Sequence, residues 1–394
     1  MSPNIKKISS NLGKSSSFYS LPHKEMFPKA NLLQQHKETA IVYSEGFFGE
    51  RAGEIANDLV RESNRFKIMA VIDSTKAGRD SGSCLHGNEN GIPICSSLTQ
   101  AIAIADWIPE YFIFGLEPDC KRLSLIERQL ILKAMRLGMN VIVGLHEFLT
   151  EDPEFIKAAK KSHVKIIDVR KPKPKKLLHV FSNQIANVQC PRIVVMGTDF
   201  QIGKRTTAQA LAKMLDKYGL NVVLIATGQI GLIQGTRYGA VLDAIPFEYC
   251  VGELEAQIVK AYEQDRPDVI IIEGQGSLSH PSTSISAAII KGAQPNAVIL
   301  QHAPSRKHLT GFEQFMIPDL GAEIALIELF SGSPVIGITL NGEGMDAHTI
   351  EETISQYTEK FQRPVGEPFT ESGDVLLEMV IDKFPELDLG GVLI

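Results

Sequence analysis

Cysteine, tryptophan and long apolar runs are all scarce in this chain. Five cysteines (Cys84, Cys95, Cys120, Cys190 and Cys250) and one tryptophan occur among 394 residues. An odd number of cysteines, never spaced C-x-x-C, argues against a disulfide scaffold or structural zinc and suits a reducing cytoplasm. No uninterrupted apolar stretch approaches the ~18–20 residues of a membrane span, so no membrane partner is expected. The net charge is −6, with acidic and basic residues intermixed, which gives no global electrostatic reason to bind DNA or RNA. What is present is an ordinary globular composition, 44% apolar and 22% charged. At ~100–200 residues per domain the length suggests two domains.

Residues 1–38 carry six lysines, no arginine and seven serines among the first twenty positions. No apolar signal core follows, so the segment reads as a basic, flexible arm. From Thr39 short apolar runs alternate with helical-period segments, the pattern of a parallel sheet flanked by helices. Residues 39–170 are expected to form one open α/β domain. Its strands fall at Ala40–Tyr43, Lys67–Ile72, Ile92–Cys95, Tyr111–Gly115, Asn140–Leu145 and Val164–Val169. A helix is expected over Leu123–Leu137. The run Arg170–Lys176 holds five cations and two prolines; it reads as an exposed tether opening a linker over 171–190. Residues 191–394 restart the alternation, with strands at Arg192–Met196, Asn221–Ala226, Asp268–Ile272, Ala297–Gln301 and Val335–Leu340.

The sharpest chemical signal is R-I-V-V-M-G-T-D-F-Q-I-G-K-R-T-T, Arg192–Thr207. An apolar strand runs into a turn with Gly197 and Gly203, then Lys204, then a helix. Glycines let backbone N–H groups converge on phosphate oxygens, and the helix N-terminus adds partial positive charge. The arrangement predicts a phosphate-binding loop built from Gly197, Thr198, Asp199, Gly203, Lys204, Arg205, Thr206 and Thr207. One position departs from the usual motif. The hydroxyl that follows the lysine and coordinates magnesium is replaced by Arg205. An arginine can clamp phosphate directly, which favours a CoA-type ligand, with no metal, over ATP. Under the ATP alternative, Asp199 and Glu273 would hold the magnesium.

A second stretch, V-I-I-I-E-G-Q-G-S-L-S-H-P, delivers Glu273 to the C-terminal edge of a strand, where open α/β sheets bind ligands. Glu273 and His280 are the candidate catalytic groups, either of them a general base. Gln275 and Ser277 lie between them as substrate contacts. The glycine-rich run Ala226–Asp243 offers Gln229 and Arg237 to a substrate, and Arg306 opens a second cationic cluster. Arg237 and Arg306 are candidates for the carboxylates of an acidic acceptor. Asn341, at a strand end, is placed to read an adenine edge. In the first half Gly46, Gly49, Gly53 and Asp73 follow the first two strands without G-x-G-x-x-G spacing, and are read as turn-shaping.

Taken in order, G-T-D-x-x-x-G-K-x-T-T, A-T-G-Q, R-Y-G-x-x-x-D and E-G-Q-G-S-L-x-H-P, with the earlier G-L-H-E-F-L and D-V-R-K-P, resemble one bacterial family. That family was long catalogued as a domain of unknown function. It has a Rossmann-like N-terminal half and a P-loop NTPase-like C-terminal half, and includes D-glutamate N-acetyltransferases. The resemblance spans roughly residues 39–390. It implies two open parallel-sheet α/β domains, acetyl-CoA as co-substrate and an amino acid as acetyl acceptor. Enzymes of this size are commonly symmetric, so a homo-oligomer is expected. The phosphate loop and the E-G segment are also similar to dethiobiotin synthetase, which keeps an ATP- and magnesium-dependent ligase or kinase open. A non-catalytic nucleotide or CoA sensor is a third reading.

Overall fold

The computed structural model describes residues 37–117, 122–368 and 374–387. Nearly all of the expected basic arm, and Cys120, lie outside the described residues. The first half forms a parallel sheet from β1 (Glu38–Tyr43), β2 (Phe66–Ile72), β3 (Ile94–Cys95), β4 (Tyr111–Phe114), β5 (Asn140–Val143) and β6 (Ile166–Asp168). Its strand order is β3-β2-β1-β4-β5-β6. Helices α1 (Glu54–Arg61), α2 (Ser81–His86), α3 (Leu98–Ala105), α4 (Leu125–Arg136) and α5 (Pro153–Ser162) connect the strands. Local sequence sets where several of them start. Asp80, Ser97, Ser124 and Asp152 each accept an N–H of the following turn, and Ser124 with Glu127 completes a capping box. The order reverses between β1 and β4, and the crevice at such a reversal, outside the C-terminal strand ends, is where open α/β sheets bind ligands.

The second half has β7 (Arg192–Gly197), β8 (Val222–Ala226), β9 (Tyr238–Gly239), β10 (Val269–Glu273) and β11 (Ala297–His302), then a hairpin of β12 (His308–Leu309) and β13 (Phe312–Met316), then β14 (Val335–Leu340) and β15 (Val365–Gly366). All but the hairpin join one parallel sheet in the order β15-β14-β11-β7-β10-β8-β9. Its helices are α6 (Lys204–Lys217), α7 (Gln229–Gln234), α8 (Phe247–Asp265), α9 (Ile285–Ala293), α10 (Leu320–Ser331), α11 (Ala347–Phe361) and α12 (Asp374–Lys383). Alternation along the strands feeds two cores. Val194, Met196, Ile270 and Ile272 face the α8–α9 side, while Ile193, Val195, Val269 and Ile271 pack with Leu211 and Leu215 of α6. Among the described residues no helix is long and apolar enough to cross a membrane.

The two halves share structure. Ile230 and Ile233 of α7 are buried with Ile55, Leu59 and Phe66 of the first half. Gln234 Nε2 donates to the carbonyls of Asp58 (3.1 Å) and Glu62 (2.9 Å). The run at Arg170–Lys176 corrects the expectation of an exposed tether. Arg170 is buried and pairs with Asp243 at 2.8 Å, and Lys173 reaches the buried Glu253 at 3.0 Å. The cause lies in α8, whose buried Glu253 and Glu255 would be costly without partners. The linker supplies them, including the N–H groups of His179, Ser182 and Ile185.

Candidate active site

The phosphate loop joins β7 to α6. At Gly197 a Cβ would stand 2.7 Å from Lys204 Cδ, so only glycine leaves the lysine its path. Gly203 has φ +101°, a left-handed conformation that ends the loop and starts α6. No side chain caps α6, which leaves its first backbone N–H groups for an anion. Lys204 is buried and donates to the Asp199 carbonyl. Burial pushes its pKa down to about 8, against the pull of Asp199 and Glu273.

Behind the loop lies a buried polar cluster. Thr310 donates its N–H (2.9 Å) and hydroxyl (2.7 Å) to one Asp199 oxygen. The other, Oδ1, lies 3.8 Å from His280 Nε2, and neither atom has a hydrogen-bond partner among the described residues. The Ser282 N–H donates to His280 Nδ1 at 3.2 Å. A neutral ring whose Nδ1 accepts must carry its proton on Nε2. Burial holds His280 below its ordinary pKa, so the neutral form presents a donor at Nε2. The rings of Phe200 and Phe312 stand 4.5 and 5.5 Å from the imidazole. Ser277 Oγ is also buried and unpartnered.

Glu273 ends β10, buried, and accepts the Thr227 N–H at 3.2 Å. Burial raises its pKa, and Arg205, the Thr227 N–H and Lys204 work against that rise. A carboxyl desolvated in this way is a stronger base than one in water, yet keeps cations at hand.

The other expected site residues divide. Thr206 and Asn341 line a cavity of about 480 Å³ beside the loop, with Gly203, Arg205, Gln301 and Pro368. Asn341 donates to the Ile202 carbonyl at 3.1 Å and accepts from the Glu343 N–H at 3.0 Å, so its amide braces the loop. Thr198 shares a 2.9 Å hydrogen bond with His302 Nδ1. Gln275 Nε2 donates to the Thr227 carbonyl at 2.6 Å, and Gln229 is buried with Oε1 unpartnered. Four residues differ from expectation. Thr207 turns its hydroxyl to Gln301 rather than to the loop's open face. Arg205 pairs with Asp58 of α1. Arg237 donates from Nη1 to both Asp265 oxygens, at 2.7 and 2.8 Å, and from Nη2 to Gln264. Arg306 spends its guanidinium on the carbonyls of Phe200 (3.1 Å) and Gln201 (2.9 Å), on Thr310 and on Glu343 (2.7 Å). A paired guanidinium is not free to take a substrate carboxylate.

Sequence reasoning did not find Glu54 and Asp58 of α1, although Gln201 donates to Glu54 and Arg205 to Asp58. Nothing in the local pattern marks them, because they ride on an ordinary amphipathic helix of the other half. Gln301 and Thr310 were also missed. A glutamine in the penultimate position of the apolar strand β11, buried in the fold, was the one available signal.

Comparison with known proteins adds three findings. Residues 74–172 match "Domain of unknown function (DUF1611_N) Rossmann-like domain", and residues 179–377 match "Domain of unknown function (DUF1611_C) P-loop domain". The chain is similar to a protein named "D-glutamate N-acetyltransferase" from Pseudoalteromonas sp, at 29% identity over 63% of this chain and 74% of that one. A protein of the same name from Tritonibacter scottomollicae is 29% identical over 65% and 75%. A crystal structure of a DUF1611 family protein from Anabaena variabilis superposes with TM-score 0.81 at 27% identity, covering 88% of this chain and all of that one.

Proposed function

This chain belongs to the DUF1611 family, and on that premise we propose that it is an N-acetyltransferase moving acetyl from acetyl-CoA to the amino group of an amino acid. D-Glutamate is the acceptor of first choice, from the names of the two relatives. The observation that carries the reading is Glu273, a desolvated carboxyl directly beside a loop suited to phosphate.

In this reading the phosphates of CoA take the uncapped N-terminus of α6 and the Lys204 ammonium. Glu273 is the general base, because a neutral His280 has its Nε2 occupied by a proton. Glu273 takes a proton from the acceptor ammonium, and the free amine attacks the thioester carbon. The C–N bond forms, the nitrogen cation so made loses its second proton to solvent, the oxyanion collapses and the C–S bond breaks. CoA leaves as thiolate and is reprotonated by the acid form of Glu273. The Nε2–H of His280 and the Ser277 hydroxyl, both unpartnered, are candidate side-chain donors for the oxyanion.

One observation favours a second reading. Asp199 Oδ1 is buried and unpartnered behind the loop, and with Glu273 it could hold magnesium for an ATP-dependent ligase or kinase. A thermal-shift titration separates the two, since a ligand at ~100 times its Kd stabilises by roughly 2.7 kcal/mol. Acetyl-CoA should raise the midpoint without magnesium. Stabilisation by Mg·ATP alone overturns the acetyltransferase reading. A CoA-release assay across D- and L-amino acids then names the acceptor.

A further inference from the structure

We infer that Arg51 and Glu117, at the switch point of the N-terminal sheet, bind the acceptor amino acid: Arg51 through a carboxylate and Glu117 through the ammonium group. The inference rests on the acetyltransferase reading and gives it acceptor contacts that Arg237 and Arg306 do not supply, since both are committed to internal partners.

Arg51 follows β1 and Glu117 follows β4, the adjacent strands where the sheet order reverses. Ligands of open α/β sheets lie in that crevice. The two loops are tied together, the Glu117 N–H donating to the Ala52 carbonyl at 2.8 Å. The crevice faces the phosphate loop, because Gln201 of that loop donates to Glu54, three residues after Arg51. A Cβ at Gly311 would lie 3.8 Å from the Arg51 guanidinium, and Gly311 is next to Thr310, which holds Asp199.

Opposite charges therefore stand in one crevice between the halves. Neither the Arg51 guanidinium nor the Glu117 carboxyl makes a hydrogen bond or ion pair with another described residue. Glu117 lies within reach of the charges of Glu54, Arg51, Arg170 and Asp243, and its burial raises its pKa to about 7. A desolvated carboxylate without a cation in contact is costly, and an incoming ammonium relieves that cost. A guanidinium with its fork unused is suited to a carboxylate. An α-amino acid carries both groups, and an acidic side chain adds a second carboxylate.

The test uses the full chain with Arg51→Ala, Arg51→Lys, Glu117→Gln and the control Arg237→Ala. Calorimetric titration with D-glutamate reads acceptor binding without turnover, and CoA release gives separate KM values for acceptor and acetyl-CoA. Arg51→Ala and Glu117→Gln should each weaken glutamate binding about tenfold or more. Arg51→Lys should fall between Arg51→Ala and wild type, with KM for acetyl-CoA unchanged in all, which also certifies folding. Arg237→Ala should bind glutamate as wild type does. Wild-type glutamate affinity in both Arg51→Ala and Glu117→Gln overturns the inference. Glutamate binding that depends on both residues, with no CoA release, would support the site and overturn the acetyltransferase reading instead.

Discussion

Arg205 of the phosphate loop and Asp58 of α1, 147 positions apart in sequence, form an ion pair with both side chains largely buried. The residue that replaces the usual magnesium-binding hydroxyl therefore ties the Rossmann-like half to the P-loop half. Its charge still reaches Glu273. Breaking a buried pair from one side costs about 3–5 kcal/mol, because it strands the other charge. Arg205→Ala and Asp58→Ala should each lower the unfolding midpoint strongly, and the double variant should lose less than the sum. Additive losses in a double-mutant cycle would show that the pair is not coupled.

Lys204→Ala should abolish most affinity for the phosphate ligand while the fold persists, since the lysine ammonium is the full cation beside the uncapped helix. The free protein adds a pH signature. Lys204 titrates at about 8, and anion binding favours its charged form. CoA affinity, followed by calorimetry, should therefore hold below that pH and decline by about tenfold per unit above it. A flat profile through pH ~9 would exclude Lys204 as the phosphate cation.

Glu273→Gln keeps the shape of the side chain but cannot take a proton. CoA release should fall by about 10²–10⁴ with little change in KM for acetyl-CoA. His280→Gln, which retains a donor, should lose less than His280→Ala. The reverse ranking in steady-state kinetics would return the role of base to His280.

Acid stability has an identifiable contributor in His302, whose pKa burial lowers from 6.5 to about 4. Above the unfolded value both states are neutral and the full stability is present. As pH falls below it, the unfolded chain binds a proton that the folded chain refuses, so stability drops until the folded state also titrates near 4. The shift amounts to about 3 kcal/mol. His280, lowered by the same cause, adds to the slope. His302→Gln should be less stable at neutral pH, having lost the Thr198 bond, yet flatter with pH in urea unfolding. An unchanged slope would remove His302 from the account.

Much of the fold was legible in sequence because strand formation here follows local pattern. The expected strand Val335–Leu340 forms with those bounds, and the first strand gains only Glu38 and Thr39. Ile92–Cys95 shortens to Ile94–Cys95, since pairing depends on the neighbouring strand β2. The two-residue strands β9 and β15 and the β12–β13 hairpin left no apolar run to read. Glu273, Lys204 and the glycines of the loop were visible because their chemistry sits in contiguous motifs.

The sequence by itself determined two parallel-sheet halves, a phosphate loop ending in Lys204 and a carboxylate at the edge of β10. Those features depend on residues near one another in the chain. Tertiary structure decided what the long cationic side chains do. Arg205, Arg237 and Arg306 look alike in sequence, but each finds a different distant or neighbouring acceptor: Asp58, Asp265, and the carbonyls of the phosphate loop. A flexible, charged side chain is directed by whichever acceptor folding brings within reach, and that is a property of the assembled sheets rather than of the local motif.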